Sequence, residues 1–340
     1  MKRLCYLYTD FQRLVFNAAA RTAEFDPACF QYLTYGYCRD GRLPGYHRIQ
    51  GGYKRAQLRR ARALVREVRD SVDRLIGRDD FELWLASDNS AVGQILVNHP
   101  RCKRLVLFED GLANYGIYYP LFSRKNLLIE LFRLRNALFL APHARLPKRA
   151  GETGRAAERY GLTEYSFPGL PNRKLINRNY FLDEVASEMV ASGQDQASPL
   201  DDRDLLLVDI FKDDYRANRF RPMVVDLVRE MVEREDVRQI LIKPHPGAPK
   251  DFVGPTAELL GREIEQPIRR FERDTSLEAI FMASRDRSPL IGGLISSSLY
   301  TARLIAPSAR VYCYGQGTAR IYARRDTQVQ SMSGLGVTVV

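Results

Sequence analysis

The sequence predicts an α/β protein built from two Rossmann-like domains facing a central cleft. Three observations carry that reading. Short apolar runs, the length of buried strands, alternate with amphipathic helical stretches along the chain. A small polar segment, Ser192–Ser198 (SGQDQAS), interrupts the alternation near its middle. Chemistry-bearing residues sit where strands are predicted to end, the edge at which open α/β sheets bind ligands. The expected division is a first domain over 1–191, a linker over 192–200, a second domain over 201–315 and a tail over 316–340 with the option of crossing back.

Composition bounds the classes. The chain has 340 residues, enough for two ordinary domains, and is 45% hydrophobic and 27% charged, which is globular rather than disordered. A formal net charge of +11 calls for an acidic partner: nucleic acid, an anionic membrane face or an anionic substrate. The five cysteines are odd in number and scattered, with neither metal-ligand spacing nor a disulfide framework, which fits a reducing cytoplasm. Met1–Cys5 opens like a signal peptide, but Asp10 and Arg13 interrupt the apolar run. No uncharged apolar stretch is long enough to span a bilayer. The expectation is a cytoplasmic protein that at most touches the inner face of a membrane.

In chain order, Arg3–Tyr8 reads as a strand, and Phe11–Thr22 as a helix capped by Thr9 or Asp10. Arg39–Gly52 reads as a loop. Tyr53–Ile76 reads as an amphipathic helix with one apolar and one strongly cationic face. Phe81–Ala86 is a strand ending in Ser87-Asp88-Asn89-Ser90, which opens a helix over Ala91–Asn98. Lys103–Phe108 is a buried strand that stops at Glu109-Asp110-Gly111. Two adjacent carboxylates at a strand end repel each other, and partial burial raises the pKa of one of them. Such a carboxylate is basic enough to accept a proton from a hydroxyl. Gly111 lets the backbone turn sharply beside a ligand. Residues 121–150 mix apolar and basic positions, as an amphipathic helix on an anionic membrane surface does. An ordinary helix with a basic outer face has the same pattern. Gly151–Asn179 reads as short turn-rich pieces, and Tyr180–Ala191 as a helix.

In the second half, Asp202-Arg203-Asp204 matches a metal-dependent transferase pattern but precedes its strand, Leu205–Val208, and is taken as chance. A helix over Arg219–Glu233 leads to the strand Gln239–Ile242, which ends at Lys243-Pro244-His245-Pro246. The prolines stop the strand, and the spacing of Lys243 and His245 places a cation and an imidazole on one side, suited to a phosphate. Thr275–Glu278 opens a helix to Ala283. Leu290–Ile295 runs into Ser296-Ser297-Ser298, and a helix follows over Leu299–Ile305. Serine hydroxyls and free amides at a helix start form an anion site. Arg310–Tyr314 is a last strand. One half thus supplies a base and the other holds a phosphate-bearing donor, the logic of a nucleotide-sugar transferase of GT-B architecture.

These residues resemble the bacterial sialyltransferases and polysialyltransferases. That family carries a D/E-D/E-G motif, an HP motif and a Ser/Thr-Ser motif, here Glu109-Asp110-Gly111, His245-Pro246 and Ser296-Ser297-Ser298. The start Thr9-Asp10-Phe11-Gln12 is similar to the Ser/Thr-Pro-Leu-Gln of the lipooligosaccharide branch, with Asp10 in place of proline. The resemblance implies inverting transfer from a CMP-activated sugar, most often CMP-sialic acid, to a glycan hydroxyl, with no cofactor and no metal. It implies Glu109 as general base supported by Asp110, with the choice between the two open. It implies His245 on the donor phosphate, a serine pair (296/297 or 297/298) on that phosphate and Glu278 on the donor ribose. Lys243 fits phosphate charge on chemical grounds, with Pro246 shaping the turn. Asp10, Asn89 and Gly111 fall on the acceptor side. The expected acceptor is an anionic glycan or glycolipid of lipopolysaccharide or capsule, reached at the inner membrane face through the basic helices, with no nucleic acid bound. Another CMP-sugar (Kdo or another nonulosonate), a non-catalytic glycan- or membrane-binding protein of the same fold and, given the basic charge, a nucleic-acid-binding protein are the alternatives.

Overall fold

In a computed structural model, the described residues are 1–37, 43, 46–49, 58–88, 90–111, 154–194, 197–208, 214–243, 253–271, 275–294, 296–315 and 326–340. The chain divides into two compact units, Met1–Glu184 and Val185–Val340.

The first unit opens with β1 (Lys2–Thr9) and α1 (Asp10–Thr22). Thr9 caps α1 by accepting from the Gln12 N–H at 3.2 Å. There follow β2 (Gln31–Tyr37), β3 (Tyr46–Arg48), α2 (Leu58–Ile76), β4 (Phe81–Leu85), α3 (Ala91–Val97), β5 (Cys102–Phe108), β6 (Ala156–Gly161), β7 (Arg173–Leu175) and the first half of α4 (Arg178–Ser192), within which the unit boundary falls. The strands form one sheet in the order β3-β2-β1-β4-β5-β6-β7, and each pairing is parallel. Alternate residues of these strands feed two cores. Leu4, Leu33, Leu83 and Leu105 pack with Leu64, Val68 and Val72 of α2 and with Ile95 and Leu96 of α3. On the opposite face, Phe16 of α1 meets Phe30, Tyr32, Trp84 and Phe108 at ring distances of 4.9–5.9 Å. The expected strand–helix alternation is therefore present, and both sheet faces are covered as parallel pairing requires.

The second unit contains β8 (Asp204–Val208), α5 (Asp214–Arg234), β9 (Gln239–Lys243), α6 (Val253–Glu263), β10 (Ile268–Arg270), α7 (Leu277–Ala283), β11 (Leu290–Gly293), α8 (Ser297–Ile305), β12 (Arg310–Cys313), α9 (Asp326–Gly334) and β13 (Thr338–Val339). Its sheet runs β10-β9-β8-β11-β12-β13, again parallel at every pairing. Counted from its own first strand, that is the same 3-2-1-4-5-6 order as the first six strands of the other sheet. Both orders are the doubly wound Rossmann order, with a switch point between the first and fourth strands.

Several expectations need correction. The stretch Arg39–Gly52, read as a loop, contains β3, and β2 just before it was missed. The turn-rich reading of Gly151–Asn179 hid β6 and β7. β6 reads Ala-Ala-Glu-Arg-Tyr-Gly and β7 reads Arg-Lys-Leu, and neither shows apolar alternation. Helix α5 begins before the expected Arg219 and runs through Pro222. From Asp326 onward, β13 pairs with β12 within the second unit, and 316–325 lie outside the described residues. The cationic stretch over 121–150 lies outside the described residues.

Candidate active site

In the first unit, the carboxyl ends of β1, β4 and β5 converge beside the switch point. Glu109 and Asp110 leave β5 together but enter different surroundings. Glu109 is fully buried. Its Oε2 accepts from the Leu162 N–H at 2.7 Å and from the Ser166 hydroxyl at 2.5 Å, which ties it to the loop after β6. Desolvation of a carboxylate is costly, and these donors offset it. Asp110 is only half-buried. Its Oδ1 accepts from Gln12 Nε2 at 2.6 Å, while Gln12 Oε1 accepts from the Tyr8 N–H at 2.7 Å. Burial pushes the Asp110 carboxyl up to about 6, and the Gln12 donor pulls the other way. Gly111 adopts φ +68°, the left-handed turn expected of it.

Asp10 is the first residue of α1 and is half-buried. Ser90 caps α3 by accepting from the Gly93 N–H at 2.9 Å, next to Asp88, which is fully buried. Asn89 lies outside the described residues.

In the second unit, Lys243 is the last residue of β9, opposite Val208, and is 4% exposed. Pro244, His245 and Pro246 lie outside the described residues. Ser296 follows β11, the fourth strand of its sheet, and so stands at that sheet's switch point. Its hydroxyl caps α8 by accepting from the Ser298 N–H at 3.1 Å. Ser297 and Ser298 then occupy the first turn, where amide hydrogens point out of the helix. The three serines thus divide into one cap and two first-turn hydroxyls. Glu278 stands in the first turn of α7, which Ser276 caps through the Ala279 N–H at 3.1 Å. Asp204, of the discounted Asp-x-Asp match, is taken up by Arg238 and Gln239, each at 2.9 Å, at the amino end of its strand. Among the described residues, no group of three His, Cys, Asp or Glu side chains is arranged to hold a metal ion. None of their helices is long and apolar enough to cross a membrane.

The family model of the alpha-2,8-polysialyltransferases matches residues 57–315. The chain belongs to that family. It is thus a sialyltransferase-type glycosyltransferase. Against curated protein sequences nothing matches. Among solved structures, the GT-B domain of a sialyltransferase from Photobacterium damselae superposes with a TM-score of 0.50 at 15% identity, covering 99% of this chain and 98% of that one. A UDP-GlcNAc 2-epimerase from Methanocaldococcus jannaschii gives a TM-score of 0.56 at 14% identity, over 100% of this chain and 88% of the epimerase. At these identities the likeness is one of fold, and the fold is GT-B.

Of the two residues that hold the acidic pair, Gln12 enters the sequence analysis only as part of the Thr9-Asp10-Phe11-Gln12 start, with no role of its own, and Ser166 does not enter it. Gln12 carried a readable signal: Thr9-x-x-Gln12 is a capping-box spacing, in which the glutamine side chain reaches back to the chain before the helix. Ser166 carried none, because its loop is brought to Glu109 only by the pairing of β5 with β6.

Proposed function

We propose that this chain moves sialic acid from CMP-sialic acid to a glycan hydroxyl, with inversion at the anomeric carbon and without a metal, and that Asp110 is the general base. The observation that carries this reading is the contrast within the acidic pair. Glu109 is held by the Leu162 N–H and the Ser166 hydroxyl, and its side chain has no exposure. Asp110 is reachable, is raised to about 6 and is aimed by Gln12. A base of that strength is ionised near neutral pH yet strong enough to draw the proton from a hydroxyl as its oxygen attacks.

In the reaction, the acceptor oxygen forms a bond to the anomeric carbon from the face opposite CMP. The bond from that carbon to the CMP phosphate oxygen breaks, and its electron pair leaves with the phosphate. The acceptor proton passes to Asp110. In the second unit, the first-turn hydroxyls of Ser297 and Ser298, the amide end of α8, and Lys243 supply the chemistry of phosphate binding. His245 is assigned to the same phosphate, as the proton donor to departing CMP, and Glu278 to the donor ribose. The net charge of +11 favours an anionic acceptor, such as a lipopolysaccharide or capsule glycan presented at the cytoplasmic membrane face.

The test is calorimetry with CMP, CDP and UMP on wild type and His245→Ala, paired with a transfer assay on Asp110→Asn. Cytidine-selective binding that weakens in His245→Ala, with transfer lost in Asp110→Asn, is the expected result. A folded protein indifferent to all three nucleotides would overturn the donor assignment.

A further inference from the structure

Strand β1 buries every residue from Leu4 to Leu7, and then Tyr8 emerges with 36% of its surface exposed. Its ring lies 5.6 Å from that of Tyr35 on β2, inclined at 42°. The register between the two strands shifts at this point. Leu7 opposes Thr34 but Thr9 opposes Tyr37, so that two residues of β2 stand against Tyr8. A bulge of this kind re-aims side chains at a strand end, and such bulges gather beside active sites. The same Tyr8 gives its backbone N–H to Gln12, the residue that holds Asp110. Beneath the pair, the buried Tyr6 phenol feels Tyr8, Tyr35 and Asp110 together. The two rings and the carboxylate therefore belong to one neighbourhood at the carboxyl edge of the sheet.

We propose that Tyr8 and Tyr35 form an acceptor subsite, on which the C–H face of the terminal acceptor sugar packs while its hydroxyl reaches Asp110. A sugar ring has an apolar face of axial C–H groups and a polar rim of hydroxyls. A tilted, partly exposed aromatic pair complements the face, and a carboxylate at its edge complements the rim. A phenol also combines an apolar body with a polar tip, which suits a hydroxylated ligand better than phenylalanine or leucine would.

The proposal rests on Asp110 as the base, and its test separates the two. Wild type, Tyr8→Ala, Tyr35→Ala and Tyr8→Phe are assayed with CMP-sialic acid and a short α-2,8-linked sialic acid oligomer. The alanine variants raise the acceptor KM roughly 10-fold with the donor KM and kcat little changed, the pattern of lost ground-state binding. Tyr8→Phe retains most of the affinity. Saturation-transfer NMR on wild type then places the oligomer, or the neutral disaccharide lactose, on tyrosine ring protons, and Tyr8→Ala loses that signal. Acceptor KM within about twofold of wild type in both folded alanine variants would overturn the subsite, as would the absence of tyrosine-to-sugar transfer for both probes. Full activity in Asp110→Asn, by contrast, would remove the base and leave the tyrosine result standing.

Discussion

Gln12 Nε2 lies 2.6 Å from Asp110 Oδ1, across 98 residues of sequence, and Gln12 Oε1 lies 2.7 Å from the Tyr8 N–H. The backbone donor fixes which end of the amide faces the acid, so Gln12 can only donate to Asp110. It thereby favours the ionised carboxylate and opposes the effect of burial. Replacing Gln12 with leucine removes this donor, while the burial that raises the carboxyl remains. A hydrogen bond to a charged group contributes about 1.5–3 kcal/mol, so the acid limb of kcat/KM moves upward by about one pH unit or more. A pH–rate profile whose acid limb stays near 6 would refute the link between Gln12 and the base.

The two acids separate by what their amide variants lose. Asp110→Asn keeps the Gln12 contact, because the asparagine oxygen still accepts, and it costs roughly 10²–10⁴-fold in kcat. Its effect on stability has the opposite sign. The folded carboxyl is raised to about 6, above the roughly 3.9 of an unfolded aspartate, so the native state binds more protons than the unfolded one between those values. Stability contributed by the protonated form is present below about pH 4 and is lost as pH rises through about 6. At pH 7.5, Asp110→Asn escapes that loss and gains on the order of 1–2 kcal/mol. Differential scanning fluorimetry checks this: the melting temperature of the variant rises relative to wild type at pH 7.5, and the gap closes at pH 4.

Glu109→Gln behaves differently. The buried carboxylate receives two donors on one oxygen, and an amide cannot replace its charge. The loss is structural, about 2–4 kcal/mol, and is read as a lower urea midpoint. A Glu109→Gln protein as stable as wild type but inactive would instead return the role of base to Glu109.

Gly161 reaches the same acid from behind. A Cβ on Gly161 would overlap Ser166 Cβ and stand 2.7 Å from Ser166 Oγ, the hydroxyl that donates to Glu109. Gly161→Ala therefore displaces Ser166 and costs about 1–3 kcal/mol. Ser166→Ala weakens the hold on Glu109 without overpacking. The double variant Gly161→Ala/Ser166→Gly removes both overlapping atoms and is more stable than Gly161→Ala alone. Additive losses by denaturant melts would show that the two residues act separately.

Much of this arrangement was legible beforehand because it depends on local patterns. The strand ends at Phe108 and Lys243 and the caps at Thr9 and Ser296 follow from apolar runs broken by polar clusters. β6 was hidden because its burial comes from its neighbours: Arg159 is 2% exposed on a strand whose own sequence looks polar. β7 was hidden because an edge strand tolerates Arg173 and Lys174 in the open. The difference between Glu109 and Asp110 was not legible at all. It depends on a hydroxyl 57 residues away and an amide 98 residues away, which meet the acids only once the parallel order of the sheet is set.

The serine cluster yields the last prediction. Ser296 accepts from the Ser298 N–H and ends the strand-to-helix turn, whereas Ser297 and Ser298 stand within the first turn of α8. Loss of a serine cap typically costs about 1 kcal/mol, so Ser296→Ala lowers the melting temperature, while Ser296→Asp, which also caps, restores it. The added carboxylate of Ser296→Asp repels a phosphate at the same helix end, so this variant is stable yet binds CMP weakly. Ser297→Ala removes no cap and therefore affects CMP affinity more than stability. Melting curves and calorimetry on the three variants separate the two roles. A Ser296→Asp protein that melts like wild type and binds CMP like wild type would place the phosphate away from α8.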